Sequence, residues 1–324
     1  MTGAPFAMTD LPPSPQLDPE VLAAQEEFQA RGLANGDILT QPIAEARAST
    51  YRYQAFLNEG GPEAEISHHT LPTTPPTPVR LYRPKGKDGV LPAYLHVHGG
   101  GFALGNLDTL DGWKREVAEQ AGVVVVGLEY ALAPEHPYPT AVEQVVAVLR
   151  WLWSEAAILG IDPERIGIGG DSAGGNAAMA ALLRLRDAGD RLPCFGAIVY
   201  GMLSTDHDSA SHQELGDGRF GLSSARLDWF WTQYLGSTPR DDAGAVPQNA
   251  PVEGLPPLLL IAAALDPLLD DTLRLDQRLT EAGVPHSLTV YPGVPHGFLG
   301  QTALLSKARE AQAEVVAAIR RHLG

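Results

Sequence analysis

The stretch Arg165-Ile166-Gly167-Ile168-Gly169-Gly170-Asp171-Ser172-Ala173-Gly174-Gly175-Asn176 joins an apolar run to an Ala- and Leu-rich segment. Arg165–Gly169 predicts a short strand, and Gly174–Asp187 a helix that stops at Gly189. Ser172 therefore falls on a tight strand-to-helix turn, where Gly170 and Gly174 remove side chains that would collide. The helix N-terminus places the Ala173 N–H and a partial positive charge beside the serine, which suits a developing oxyanion. A G-x-S-x-G pattern arises by chance about 0.1 times in a chain of this composition, so the motif alone is moderate evidence. An ordinary turn with a serine N-cap is the plain alternative. A dinucleotide fingerprint starting at Gly167-Ile168-Gly169 fails, because its third glycine would fall on Ser172.

Working outward, short apolar runs alternate with longer helical stretches. Val79–Tyr82, Leu91–Val97, Val123–Leu128, Cys194–Tyr200, Leu258–Ala262 and His286–Tyr291 read as strands. Asp18–Arg31, Leu110–Ala121, Pro139–Leu159, Asp270–Ala282 and Leu304–Leu323 read as helices. The consecutive valines Val123–Val126 suit a strand buried on both faces. The order is βαβα repeated, which predicts an α/β fold with a mostly parallel central sheet flanked by helices. Residues 1–20 read as an irregular arm, and Thr70–Pro78 as an extended connector with prolines at 72, 75, 76 and 78. Residues 206–245 break the rhythm and read as an insertion placed to reach a ligand beyond the strand ends.

Composition excludes several classes of function. The chain has 324 residues, 44% hydrophobic and 19% charged, with a formal net charge of −16. That charge disfavours nucleic-acid and anionic-membrane partners. The single cysteine, Cys194, offers neither an intrachain disulfide nor metal-ligand spacing. Neither a targeting signal nor an apolar stretch of the ~20 residues that span a bilayer is legible, so a cytoplasmic location without membrane insertion is expected.

The sharper signal is His98-Gly99-Gly100-Gly101, which follows the strand Leu91–Val97; its chance expectation is about 0.01. Three glycines let successive N–H groups converge on one negative oxygen. His98 itself reads as a loop-organising side chain. A serine nucleophile needs a base, and the base needs an orienting acid. Asp266 follows the strand Leu258–Ala262, and His296 follows the last strand, so both share the edge where Ser172 emerges in the chain order Ser, Asp, His. Asp270 and Asp271 read instead as first-turn helix charges. His286 and His96 lie on strands, and His136 sits in a Pro-rich loop. His68, His69, His207, His212 and His322 have no comparable setting.

Taken together these residues resemble the hormone-sensitive-lipase-like carboxylesterases among the α/β-hydrolases. The resemblance covers roughly residues 75–324 and rests on His98-Gly99-Gly100-Gly101-Phe102, Gly170-Asp171-Ser172-Ala173-Gly174-Gly175-Asn176, Asp266-Pro267-Leu268, His296-Gly297-Phe298 and Tyr130-Ala131-Leu132-Ala133-Pro134-Glu135. It implies Ser172, His296 and Asp266 as catalytic residues, an oxyanion hole on the N–H groups of Gly99, Gly100 and Ala173, and no metal or cofactor. It also implies a helical cap, formed by residues 1–50 with the insertion 206–245, over a catalytic domain spanning 51–324. Ala131 stands where the family usually has arginine, so its loop must be held differently. Gly201 stands where relatives often have proline, and would widen the pocket floor or permit a bend.

The insertion's Leu227-Asp228-Trp229-Phe230-Trp231 run reads first as a helix buried by its aromatic face, second as pocket lining. Expected lining residues are Phe102, Tyr200, Met202, Leu203, Phe220, Leu222, Trp231 and Phe298, with Leu227 and an apolar lid helped by Phe28. A predominantly apolar pocket favours neutral short- to medium-chain esters. The leading expectation is a serine carboxylesterase working through an acyl-enzyme. A lactonase, amidase or natural-product deacetylase with the same residues is the alternative, and a non-catalytic ligand-binding protein of the same fold ranks lower. His286–Tyr291 and Leu304–Leu323 are the expected surface of a homodimer.

Overall fold

The computed structural model describes residues 16–33 and 38–324. The arm expected over residues 1–20 therefore falls mostly outside the described residues. Eight strands form one sheet: β1 (Ala64–Leu71), β2 (Thr77–Pro84), β3 (Leu91–Val97), β4 (Val124–Leu128), β5 (Ile161–Asp171), β6 (Gly196–Val199), β7 (Leu258–Leu265) and β8 (His286–Pro295). Their order is β1-β2-β4-β3-β5-β6-β7-β8. β1 and β2 pair antiparallel, as do β2 and β4, and every other pair is parallel.

Alternation along the strands builds two cores. Val124 and Val126 of β4 face one core with Leu95, Ile168 and Leu260, under α4 (Thr140–Ser154), α6 (Ala173–Asp187) and α9 (Leu269–Glu281). Val125 faces the other, with Tyr94, Leu259 and Ile261 under α3 (Asp111–Ala121) and α10 (Ser306–Leu323). The consecutive valines thus serve both layers, as a doubly covered strand requires. Pro139–Leu159 proves to be two helices, α4 and a short α5 (Ala156–Leu159), which meet at Glu155.

Helices outside this frame are α1 (Pro19–Ala30), α2 (Ile43–Leu57), α7 (Ala210–Leu215) and α8 (Ser224–Leu235). Asp18 caps α1 by accepting the Glu20 N–H at 2.9 Å and pairs with Lys307 at 2.7 Å. Its own N–H donates to Gly293 O at 2.8 Å, where β8 takes four steps to match two of β7. Phe28 of α1 packs edge-on against Tyr53 and Phe56 of α2, with ring centroids 5.1 and 5.9 Å apart. Strand β1 and helix α2 were not legible in the sequence, and the connector expected at Thr70–Pro78 is instead largely the β1–β2 turn.

Candidate active site

Register places the site. β3 pairs with β4 on one side and β5 on the other, so the segments leaving β3 and β5 flank a point where the connections diverge. Val97 is paired with Gly170, one residue before His98 and two before Ser172. Leu265 is paired with Pro295, so Asp266 and His296 leave neighbouring strands side by side.

Ser172 sits at φ 55°, ψ −121°, a conformation that costs a non-glycine residue about 1–3 kcal/mol. Hydrogen bonds hold it there: its N–H donates to Val199 O at 3.0 Å, and its carbonyl accepts from Met202 and Asn176 N–H, both at 3.1 Å. The flanking glycines are required. A Cβ on Gly170 would run into the Gly174 backbone, and one on Gly174 into Val97 O.

His296 Nε2 lies 2.9 Å from Ser172 Oγ and Nδ1 lies 2.6 Å from Asp266 Oδ2. A carboxylate only accepts, so Nδ1 carries the proton and Nε2 is left to accept from the serine hydroxyl. Asp266 is fully buried, and its other oxygen accepts the Leu268 N–H at 2.9 Å. This arrangement can remove a proton from Ser172 and return it to a departing group. His98 is buried and stacked on Tyr130 at 4.3 Å, its Nδ1 donating to Gly99 O at 2.8 Å. Burial pushes His98 down to about 4, so it is a neutral loop organiser.

The glycine loop corrects one expectation. Gly99 N–H donates to Asp171 Oδ1 at 2.9 Å, which also receives His96 Nε2 at 3.2 Å, so Gly99 has no donor to spare. Gly100 and Gly101 N–H have no acceptor among the described residues, and neither has Ala173 N–H at the start of α6. Both loop glycines have positive φ, and a Cβ on Gly101 would strike the Phe230 ring. The free amides are therefore those of Gly100, Gly101 and Ala173.

A cavity of about 450 Å³ opens beside Ser172 and His296. Tyr200, Met202, Phe220, Leu222 and Leu227 line it as expected. Phe102, Leu203, Trp231 and Phe298 do not. Phe102 stacks on Tyr234 at 3.6 Å and lies beside Trp231, both on the buried face of α8; Leu203 joins the main core, and Phe298 packs against Tyr200 and Tyr291. Lining residues not anticipated include Ile38, Thr50, Tyr53, Gln54, Thr109, Arg226, Phe230 and Gln301, so the wall is mixed rather than predominantly apolar. Phe28 stays behind α2 and does not line it. Among the described residues no group of three or more His, Cys, Asp or Glu could hold a metal ion, and no helix is long and apolar enough to cross a membrane.

Comparison with known proteins agrees with this fold. A family model described as alpha/beta hydrolase fold covers residues 94–300. The chain is 36% identical over 269 residues to a carboxylesterase, NlhH, of Mycobacterium tuberculosis, covering 81% of this chain and 84% of that one. It is 33% identical over 323 residues to an ethyl acetate hydrolase of Pseudomonas putida, covering 95% and 99%. The solved hyperthermophilic esterase of the archaeon Pyrobaculum calidifontis superposes with a TM-score of 0.87 at 31% identity, over 94% of this chain and 98% of that one. The chain belongs to the hormone-sensitive-lipase-like carboxylesterase family of α/β-hydrolases.

Within that family its departures have local explanations. Ala131 supplies only its N–H, which donates to Gln144 Oε1 at 2.6 Å. The loop around it is held from outside by Arg47 of α2, which donates to Ala103 O at 2.9 Å, to Ala133 O at 3.0 Å and to both Glu135 oxygens at 2.8 and 2.7 Å. That fork pulls Glu135 down to about 2. Gly201 does not line the cavity; it packs against Gly175 of α6, and a Cβ there would press on Ile198 and Leu203. The glycine is a packing feature.

Proposed function

We propose that this protein is a serine carboxylesterase that hydrolyses short- to medium-chain esters through an acyl-enzyme. In this reading Ser172 Oγ attacks the ester carbonyl carbon while its proton passes to His296 Nε2. Asp266 holds the imidazole in the tautomer that accepts it and stabilises the imidazolium that results. The tetrahedral oxyanion takes hydrogen bonds from the N–H groups of Gly100, Gly101 and Ala173, each such donor being worth about 10²–10³ in turnover. The alcohol departs with the proton from Nε2. A water activated by the same nitrogen then releases the acid and regenerates Ser172. The chain of contacts from Ser172 through His296 to Asp266, at 2.9 and 2.6 Å, is the observation that carries the reading. Relatives named for carboxylesterase and ethyl acetate hydrolysis support the substrate class.

Helices α1 and α2 together with residues 206–245 act as a cap over the cavity, supported by the lining residues that α2 and α8 contribute. β8 is an edge of the sheet, which supports a homodimer through β8 and α10, to be checked by sedimentation. A cytoplasmic site of action belongs to the same reading and is open to fractionation. The deciding experiment is hydrolysis of p-nitrophenyl esters of increasing acyl length by wild type and Ser172→Ala. Turnover of short esters by wild type, lost by at least about 10⁴-fold in the variant, is expected. A folded but inert wild type, or an active Ser172→Ala, would overturn the proposal.

A further inference from the structure

The cavity beside Ser172 has two unlike walls. One belongs to an apolar cluster and includes Ile38, Leu104, Met202, Leu227 and Phe230. The other comes from α2, the segment before α3 and the turn after β8, and carries Tyr53, Gln54, Thr109 and Gln301. Its hydrogen-bond inventory is unbalanced. Gln54 Oε1 accepts the Leu110 N–H at 3.1 Å, which fixes the amide's orientation and leaves its NH₂ without an acceptor among the described residues. Thr109 is only 5% exposed; its Oγ1 accepts the Asn106 N–H at 3.0 Å, and its own proton has no acceptor among them either. Burial pushes the Tyr53 phenol up, so it stays neutral. An alkyl chain laid on this wall would strip water from donors without replacing it, whereas an oxygen would satisfy them.

We propose that the Gln54–Thr109 wall selects esters bearing an acceptor oxygen a few atoms beyond the ester linkage. The favoured class is then alkoxyalkyl and hydroxyalkyl esters and partly acetylated polyols, rather than plain alkyl esters of the same length. This deepens the carboxylesterase reading and rests on it. Matched probes test it on both sides of the ester bond: 2-methoxyethyl acetate against butyl acetate, and methyl 3-methoxypropanoate against methyl pentanoate. Each kcat/KM ratio is divided by the ratio for hydroxide, which removes intrinsic reactivity.

Wild type is expected to favour the oxygenated member of at least one pair. Gln54→Glu keeps an oxygen for the Leu110 N–H but exchanges the donor for an acceptor, and lowers that preference about three- to tenfold. Thr109→Val lowers it similarly, and Thr109→Ser retains it. A corrected ratio of one for both pairs, or a preference that the Gln54 and Thr109 variants leave unmoved, overturns the proposal. Binding of the same probes to Ser172→Ala separates the two readings. An inert wild type whose Ser172→Ala form still binds the oxygenated probe more tightly sinks the esterase reading and leaves the wall assignment standing. An active wild type without preference does the reverse.

Discussion

Gly99 N–H and Asp171 Oδ1 meet at 2.9 Å across 72 residues of chain. The residue beside Ser172 thereby fixes the loop that carries the free amides of Gly100 and Gly101. The same oxygen receives His96 Nε2 from the strand leading into that loop, so one carboxylate ties β3, the glycine loop and the serine turn together.

Asp171→Ala is expected to lower kcat for p-nitrophenyl acetate about 10- to 100-fold while changing KM much less. It would leave two buried donors unpaired and loosen the aim of amides that act on the transition state. Asp171→Asn keeps an acceptor oxygen and should retain more activity. A kcat that Asp171→Ala leaves intact would show that the loop holds its shape without the carboxylate.

Gly101→Ala should be folded but nearly inactive. Its φ of 59° disfavours a side chain, and the new methyl would push into the Phe230 ring, which can move only by disturbing the cavity wall. Gly174→Ala meets the Val97 carbonyl, a backbone group that cannot swing away, and should fail to accumulate as folded protein. Circular dichroism and soluble yield separate the two. Equal yields for both would contradict the packing described at the turn.

Much of this arrangement was legible in the sequence. The consecutive valines gave a doubly buried strand, and the placement of Ser172, Asp266 and His296 after strands brought them to one edge. What escaped has physical reasons. Three adjacent glycines offer three amides, but no local pattern reveals that Gly99 is already engaged by a side chain far along the chain. Periodicity identifies the buried face of α8, yet it cannot distinguish Trp231, which meets Phe102, from Phe230, which lines the cavity. β1 carries Ser67, His68 and His69 on an exposed edge, so it lacks the alternation that marks a half-buried strand. Gln54 and Thr109 are ordinary polar residues until the fold sets them in the wall of the cavity that Ser172 also lines.

Arg47 reaches from α2 to the loop around Ala131, so its loss should be felt in the cavity that α2 lines. Arg47→Ala is expected to cost about 1–3 kcal/mol of stability through its charged hydrogen bonds and to raise KM severalfold with a smaller effect on kcat. Arg47→Lys should recover less than half, because an ammonium cannot reproduce the fork to Glu135 and the two carbonyls. Denaturant unfolding and steady-state kinetics on both variants check this. An Arg47→Lys variant indistinguishable from wild type would argue that charge alone holds the loop.

Stability should respond to pH in two opposing ways. Burial pushes His98 and His212 each down to about 4, and lowers His96 and His207 as well. The unfolded chain protonates its histidines near 6.5, so it binds protons that the folded state refuses, and stability falls as pH drops from about 6.5 towards 4. Asp271 acts in the other direction. It is fully buried and pushed up to about 8, although Leu203 and Ser204 N–H donate to its Oδ2 at 2.8 and 2.9 Å. The unfolded chain loses that proton near pH 4 and the folded state only near 8, so this group erodes stability as pH rises between those values. Asp271→Asn keeps an oxygen for both amides and cannot ionise. It should match wild type near pH 4 and exceed it increasingly up to pH 8, by up to about 1.4 kcal/mol for each pH unit over which the folded and unfolded states differ in that proton. Urea unfolding of both proteins at pH 4, 6 and 8 measures the difference, and a constant offset across that range would mean that Asp271 does not titrate within it.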